Sequence, residues 1–239
     1  MSLSIIIPVY NEINQIKFTI QKLIRLKKNF KKFEIIFVDD FSNDGTFESL
    51  NKKYSKMKFL KVIKNKKKGL GSAIEQGIIK SKNKYICIFM CDLSDDVNDL
   101  KKYYKIISKE NIDAVFGSRF YKNSNVKNYP FIKLFLNRVF NNFVRLIFWS
   151  RYNDFTNAFK IYNSKTLKSL LPIVSENFNV FLEIPLKIIV RRYMYKTIAI
   201  NWTNRKYGKS KFKIKELSSM YLFTLLYCLL EKILLKKNN

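Results

Sequence analysis

The 239-residue chain contains no histidine. Without an imidazole there is no Ser-His-Asp or Cys-His catalytic pair and no histidine-ligated metal centre. Cysteine is scarce as well, at three residues. Cys87 and Cys91 lie roughly 13 Å apart if the segment is extended at about 3.3 Å per residue, too far for a disulfide. The expectation is buried thiols in a reducing compartment. Glycine clusters once, in Gly69-Leu70-Gly71-Ser72 after Asn65-Lys66-Lys67-Lys68. That spacing is neither a P-loop nor GxGxxG, so it reads equally as a phosphate site at a helix N-terminus or as a tight turn beside solvated lysines. Leu217 to Leu230 is fourteen nearly continuous apolar residues, short of the ~20 that span a bilayer. An interfacial helix or a helix packed on the domain or a second copy fits that length. Ser4 to Val9 is too short for a signal peptide, so none is expected. Acidic residues are few, 18 against 46 basic, for a net charge of +28. Such an excess predicts an anionic partner, although Lys, Asn, Ile and Phe are all abundant together, a bias that adds lysine without function. No zinc-finger or RNA-recognition motif accompanies the charge, so nucleic acid is not expected as a partner.

What is present is apolar and ordered. At 47% hydrophobic residues, the chain has enough to bury a large core in one domain, or one domain with an appendage. Leu3–Val9, Glu34–Val38, Phe59–Ile63 and Tyr85–Met90 read as buried strands, alternating with helical patterns at Ile16–Leu26 and from Gly69 to about Ser81. This alternation predicts an α/β fold with a mostly parallel sheet flanked by helices. Three of the strands run directly into acids: Glu12, then Asp39 and Asp40, then Asp92. Parallel strands deliver those groups to one edge, where open α/β sheets bind ligands. After Tyr85–Met90 come Asp92, Ser94, Asp95 and Asp96. Asp92 is the candidate ligand for a hard cation, while Ser94 is expected as the N-cap of the next helix with Asp95 and Asp96 favouring its dipole.

Further on, Asp113–Gly117 is a strand leading to Ser118-Arg119. Phe131–Trp149 is a greasy helix whose polar residues Lys133, Asn137, Asn141 and Arg145 recur every four positions, with Arg138 and Asn142 beside them. Such a stripe fits a helix lying on a membrane surface and, equally, a core helix with one wet face. Asp154 opens another polar-to-apolar element, Phe178–Arg192 reads as a helix, and Lys196–Trp202 as a last strand. Asn204 to Lys211 is a basic loop suited to clamping phosphates.

The segments IIIPVYNE (5–12), EIIFVDDFSNDGT (34–46), KGLGSAIEQGI (68–78), DAVFGSRF (113–120), DFTNAFKIY (154–162) and NRKYGKSK (204–211) occur in this order. Together they resemble family-2 glycosyltransferases of the GT-A fold, and within them the dolichol-phosphate mannose synthase and polyprenyl-phosphate glycosyltransferase branch. The resemblance implies a glycosyltransferase domain over residues 1–211, with 131–150 as an interfacial helix, and a membrane-associated C-terminal helix over 212–239. It implies that Pro8, Tyr10, Glu12, Asp39 and Asp40 line the pocket for a nucleotide-sugar donor, and that Arg205 and Lys211 meet its diphosphate. Arg119, Lys133, Asn137 and Arg138 would hold the phosphate of a polyprenyl phosphate acceptor, and Asp92, Arg119 and Arg205 would carry catalysis. A membrane surface, and a membrane subunit or second copy, are the implied partners, at the cytoplasmic face.

One departure stands out. The family's Asp-x-Asp motif binds Mg²⁺ or Mn²⁺ on the sugar diphosphate. Here Met90 and Cys91 precede Asp92, and a thioether is a poor ligand for either ion. Asp92 would hold the metal with help from Ser94 or Asp95, or metal dependence would be weak. The expected reaction is inverting transfer of a hexose to the acceptor phosphate, which is already anionic and needs no strong base. Two alternatives stand beside it. One is transfer to a glycan hydroxyl, with Asp154 or Glu183 as base. The other is a catalytically weakened membrane-bound scaffold marked by Met90.

Overall fold

The computed structural model describes residues 2–54, 56–204 and 214–237. In chain order the elements are β1 (Ser2–Val9), α1 (Ile13–Ile24), β2 (Lys32–Asp39), α2 (Thr46–Tyr54), β3 (Leu60–Lys64), α3 (Leu70–Lys80), β4 (Tyr85–Ile88), α4 (Val97–Glu110) and β5 (Ala114–Ser118). Then follow β6 (Asn125–Lys127), α5 (Phe131–Phe148), β7 (Lys160–Asn163), α6 (Ser164–Ser169), α7 (Val180–Val190), β8 (Tyr195–Ala199), β9 (Asn201–Thr203) and α8 (Ile214–Lys237). Seven strands form one sheet in the order β3-β2-β1-β4-β7-β5-β8, and β6 pairs with β9 in a small second sheet.

Both faces of the main sheet are covered, which is why its central strands are apolar throughout rather than alternating. Ile5, Ile7, Ile35 and Phe37 face one core with Ile16, Ile20 and Leu23 of α1 and Leu100, Tyr103 and Ile107 of α4. Ile6, Ile36, Ile86 and Ile88 face the other, with Ala73, Ile74 and Ile78 of α3 and much of α7. The chain runs outward through β1, β2 and β3, then returns to place β4 on the other side of β1. The carboxyl ends of β2, β1 and β4 therefore lie side by side at one edge of the sheet, where open α/β sheets bind ligands.

β7 runs antiparallel to both β4 and β5. Because of that reversal the start of β7, preceded by Asp154 to Phe159, meets the same edge as the ends of β1, β2, β4 and β5. The convergence of acids expected from the strand ends is thus joined by Ser118-Arg119 and by the 154–159 turn.

Several boundaries differ from the sequence reading. The expected strand over Lys196–Trp202 is two strands in two sheets: Ile200 donates to the Ser118 carbonyl, and β9 then leaves to pair with β6. Ser94 does not cap α4. Asp96 does, its side chain accepting from the Asn98 N–H, while the backbone of 94–96 is tied to the 201–203 segment. α1 begins three residues before Ile16 and α8 continues past Leu230 to Lys237. Among the described residues no helix is long and apolar enough to cross a membrane.

Candidate active site

The first half of the site is built from the ends of β1 and β2. Pro8 sits near the end of β1, opposite Val38. Ile6 accepts from Phe89 N, so by the two-residue alternation Pro8 also points toward β4, which has already ended there. Its missing N–H costs no ladder bond. Asp39 is buried, with one carboxylate oxygen accepting from Ser42 N at 3.1 Å and the other without a hydrogen-bond partner. A buried, unpaired acceptor at a strand end is suited to an N–H or hydroxyl donor of a ligand. Glu12 stands at the start of α1, its backbone N–H donating to Thr46 Oγ1 at 3.0 Å. The Lys68 ammonium lies 5.8 Å from the Tyr10 ring centre.

Asp40 faces across to the glycine segment. Its Oδ1 accepts from Gly69 N and from Asn65 Nδ2, both at 2.8 Å. Gly71 N donates to the Glu176 carbonyl at 2.9 Å. Both glycine N–H groups are therefore committed within the protein, as the tight-turn reading expects. Gly69 has φ 138°, and a Cβ on Gly71 would lie 1.7 Å from the Ser175 carbonyl oxygen. The glycines serve the close approach of the 175–176 backbone.

The second half is a cavity of about 520 Å³. Asp92, Ser94, Asp95 and Arg119 form its polar end, and Leu136, Phe140, Phe143, Phe181, Leu222 and Leu225 its apolar wall. Arg119 is nearly buried and held by a fork. Its Nε donates to Asp154 Oδ2 at 2.9 Å and its Nη2 to Asp154 Oδ1 at 2.6 Å, with the Arg119 backbone N–H on Oδ2 at 2.8 Å. The carboxylate of Asp154 thus grips Arg119 instead of capping the turn that follows it. Burial works against the guanidinium charge, but Asp154 outweighs it and holds the group charged. The rings of Tyr129 and Trp202 lie 5.5 and 5.6 Å from the guanidinium carbon. Nη1 is left with a long 3.4 Å contact to Tyr129 Oη.

Asn137 and Lys133 also line the cavity. The Asn137 amide donates to Tyr129 Oη at 2.8 Å and accepts from Thr156 Oγ1 at 3.0 Å, so it braces the wall. Arg138 is exposed and lies over the Phe120 ring, away from the cavity lining. Arg205 and Lys211 lie outside the described residues. Sequence reasoning passed over Tyr129, Trp202 and Thr156, which carry no recognisable pattern and meet Arg119 only through the fold. It also missed Lys160. This buried amine in β7 donates to the carbonyls of Phe155 and Asn157, and burial brings it down to about 7.

A divalent cation is implied by this fold, and the donor set can be tested against one. Asp92 and Asp95 supply hard carboxylate oxygens and Ser94 a hydroxyl, the chemistry that Mg²⁺ and Mn²⁺ prefer. Asp95 is buried and its Oδ1 has no hydrogen-bond partner. Burial, with Asp92 beside it, pushes its carboxyl up to about 8. Among the described residues no group of three or more His, Cys, Asp or Glu side chains stands ready for a metal. The residues fit an ion that takes its remaining ligands from a bound phosphate and water.

Residues 4–171 match the model of Glycosyl transferase family 2. The chain is 29% identical over 138 residues to a dolichol-phosphate mannosyltransferase of Pyrococcus furiosus, covering 58% of this chain and 39% of that protein. It is 27% identical over 218 residues to a dolichyl-phosphate β-glucosyltransferase of Dictyostelium discoideum, covering 84% of this chain and 66% of the relative. It thus spans less than two thirds of the length of these relatives. Among solved structures, glucosyl-3-phosphoglycerate synthase from Mycobacterium tuberculosis superposes with a TM-score of 0.72 at 16% identity, over 95% of this chain and 79% of that one. That synthase has also been crystallised with Mn²⁺ and UDP. The likeness at that identity carries the GT-A fold alone. The chain belongs to glycosyltransferase family 2.

Proposed function

We propose that the protein transfers a hexose from a nucleotide-sugar to a polyprenyl monophosphate, with inversion, at the cytoplasmic face of a membrane. The observation that carries this reading is the two-ended cavity: polar groups at Asp92, Asp95 and Arg119, and an apolar wall supplied by α5, α7 and α8. An acceptor with an anionic head and a hydrocarbon tail matches both ends. The names of the two sequence relatives support it.

The surroundings of the cavity support it further. α5 is amphipathic, yet the middle of its polar stripe, Asn137 and Asn141, turns inward. Asn141 is fully buried and accepts from Phe155 N at 2.6 Å, while Phe131, Ile132, Phe135, Val139 and Leu146 face outward. Trp149, 91% exposed, ends the helix. α8 adds exposed Leu222, Phe223, Leu226 and Leu230 while burying Tyr221, Leu225 and Cys228 against the domain. Phe140 of α5 and Tyr221 of α8 touch edge to face, so the two helices form one outward apolar surface. An apolar face of this extent next to a ligand cavity suits the acyl boundary of a bilayer.

In the proposed reaction an oxygen of the acceptor phosphate forms a bond to the anomeric carbon as the carbon–oxygen bond to the donor diphosphate breaks, and the nucleoside diphosphate departs. Asp39, with its unpaired oxygen, and Glu12 would hold the nucleoside, while Asp40 keeps the glycine turn in place behind it. Arg119, oriented by Asp154, would present Nη1 to a phosphate, and Arg205 and Lys211 would meet the diphosphate. The chemistry supplied by a bound divalent cation is charge neutralisation on that diphosphate. No general base is required, since the attacking oxygen is anionic, and positioning with electrostatic stabilisation does the rest.

The hydroxyl-acceptor alternative needs a free carboxylate base, and both candidates are committed. Asp154 is locked onto Arg119, and Glu183 accepts from Val174 N and Ser175 N while paired with Lys187. The test is a transfer assay with labelled UDP-, GDP- and dTDP-sugars, undecaprenyl or dolichyl phosphate, and soluble hydroxyl and phosphorylated acceptors. Label entering an acid-labile, organic-extractable product is expected. Transfer to a soluble acceptor alone would overturn the lipid reading, and no transfer from any donor would favour a weakened scaffold.

A further inference from the structure

We propose that this chain holds its divalent cation between Asp92 and Asp95, replacing the first position of Asp-x-Asp with a carboxylate from three residues beyond the second. The inference rests on the site being that of a nucleotide-sugar transferase. Met90, at the position of the missing acid, packs its thioether against the apolar core and offers no hard oxygen. Cys91 is buried and turned to Thr19, with Sγ 3.4 Å from its hydroxyl. The ion cannot be held as the motif would hold it.

Asp95 is placed to substitute. Leu93 takes a left-handed backbone, φ 57°, and folds the chain back, with Ser94 N donating to Asp92 Oδ1 at 3.1 Å. Thr203 N donates to the Ser94 carbonyl at 2.9 Å and Asp96 N to the Asn201 carbonyl at 3.3 Å. The turn is therefore fixed by its backbone, and the Asp95 carboxylate is not needed to hold it. That carboxylate nevertheless lies buried in the polar end of the cavity beside Asp92, with Oδ1 unpartnered. Native proteins leave very few buried polar atoms in this condition. Two buried basic groups nearby are committed elsewhere, Arg119 to Asp154 and Lys160 to the carbonyls of Phe155 and Asn157.

Charge supplies the second argument. A donor diphosphate and an acceptor phosphate are both anions, and the end of the cavity where they must meet presents Asp92 and Asp95. A divalent cation between carboxylates and phosphates makes that meeting more favourable. Mg²⁺ and Mn²⁺ keep several waters and bind through one or two carboxylates plus substrate phosphates, which is the ligand count available here.

The experiment is Mn²⁺ binding followed by electron paramagnetic resonance, with Mn²⁺ alone and with UDP or GDP, on wild type, Asp95→Asn, Asp92→Asn and Met90→Asp. Nucleotide binding is measured separately by calorimetry, and melting temperature is recorded without metal. Asp95→Asn is expected to weaken Mn²⁺ at least about tenfold while its metal-free melting temperature stays level or rises, because the unpartnered Oδ1 contributes no hydrogen bond to the fold. Met90→Asp, which restores Asp-x-Asp, is expected to tighten Mn²⁺. Unchanged Mn²⁺ affinity in Asp95→Asn with nucleotide still bound would overturn the ion site and leave the transferase reading standing. Mn²⁺ binding that depends on Asp95 in a protein that binds neither nucleotide would keep the ion site and sink the donor reading. A lowered melting temperature in Asp95→Asn with Mn²⁺ affinity intact would make Asp95 a structural residue and overturn the proposal.

Discussion

Removing the charge of Asp154 while keeping its shape is the sharpest perturbation of the site. In Asp154→Asn the Arg119 guanidinium keeps its charge but loses its counter-ion. The side chains of the pair are 8% and 0% exposed, and two charge-assisted bonds of 2.9 and 2.6 Å close the fork. Breaking a buried pair from one side costs about 3–5 kcal/mol, chiefly because an uncompensated charge stays behind. The aromatic faces of Tyr129 and Trp202 return part of this, at most about 2 kcal/mol for a desolvated cation. The expected net loss is therefore roughly 2–4 kcal/mol. Removing both charges in Asp154→Asn/Arg119→Met is expected to cost less than the sum of the single changes, because no charge is stranded. Urea unfolding followed by tryptophan fluorescence measures this, with Trp202 reporting from beside the guanidinium. A loss below about 1 kcal/mol in Asp154→Asn, or strict additivity in the double variant, would refute the claim that Arg119 is desolvated and depends on Asp154.

Other consequences are equally direct. Phe135→Glu with Leu146→Glu should leave stability within about 0.5 kcal/mol, both side chains being largely exposed. Lost insertion, at about 1.5–3 kcal/mol per large apolar side chain, should cut co-sedimentation with anionic vesicles roughly a hundredfold or more. Gly71→Ala drives a methyl to within 1.7 Å of the Ser175 carbonyl oxygen, and should cost about 1–3 kcal/mol by overpacking, read as a lower melting temperature with weakened donor binding. Lys160 has a folded pKa brought down to about 7 from 10.5, so between those values the unfolded chain binds the extra proton and stability rises with pH. Wild type should therefore gain on Lys160→Met as pH is raised from 7 to 9, by at most about 1.4 kcal/mol per pH unit, in urea unfolding at the two pH values. A constant difference would place the amine outside the buried site.

Much of the donor half was legible because it is local. An apolar run ending in acid reads as a strand delivering that acid, and the parallel alternation brings Glu12, Asp39, Asp40 and Asp92 to one edge. The rest depends on contacts distant in sequence. β7 is four residues with a lysine at its start, and Lys160 is tolerated in the core only because its amine folds back on the carbonyls of Phe155 and Asn157. Nothing local announces that. The cap of α4 moved from Ser94 to Asp96 because backbone bonds tie 94–96 to the 201–203 segment and the helix starts only at Val97. The orientation of α5 was undecidable by periodicity, which locates a polar stripe without saying which side faces the domain. Asn137 and Asn141 settle it by bonding Tyr129, Thr156 and Phe155.

That inversion ties the two halves of the proposed function together. With Asn137 and Asn141 spent on the site, α5 sends Phe131, Phe135, Val139 and Leu146 outward, and under the proposed function the same surface would serve as wall and as docking face. Leu136 and Phe143 are exposed yet line the cavity, as does Leu222 of α8. A polyprenyl chain carries an apolar transfer cost of about 0.8 kcal/mol per buried methylene-sized group. Under the proposed function such a chain would stay in its bilayer and the enzyme would come to the lipid. Only the phosphate head would then move, from the membrane surface toward Arg119. A cavity of this kind on a protein that does not bind vesicles would have no means of filling its apolar end, so vesicle binding and transfer to polyprenyl phosphate should be lost together when Phe135 and Leu146 are made acidic, while binding of the nucleotide persists.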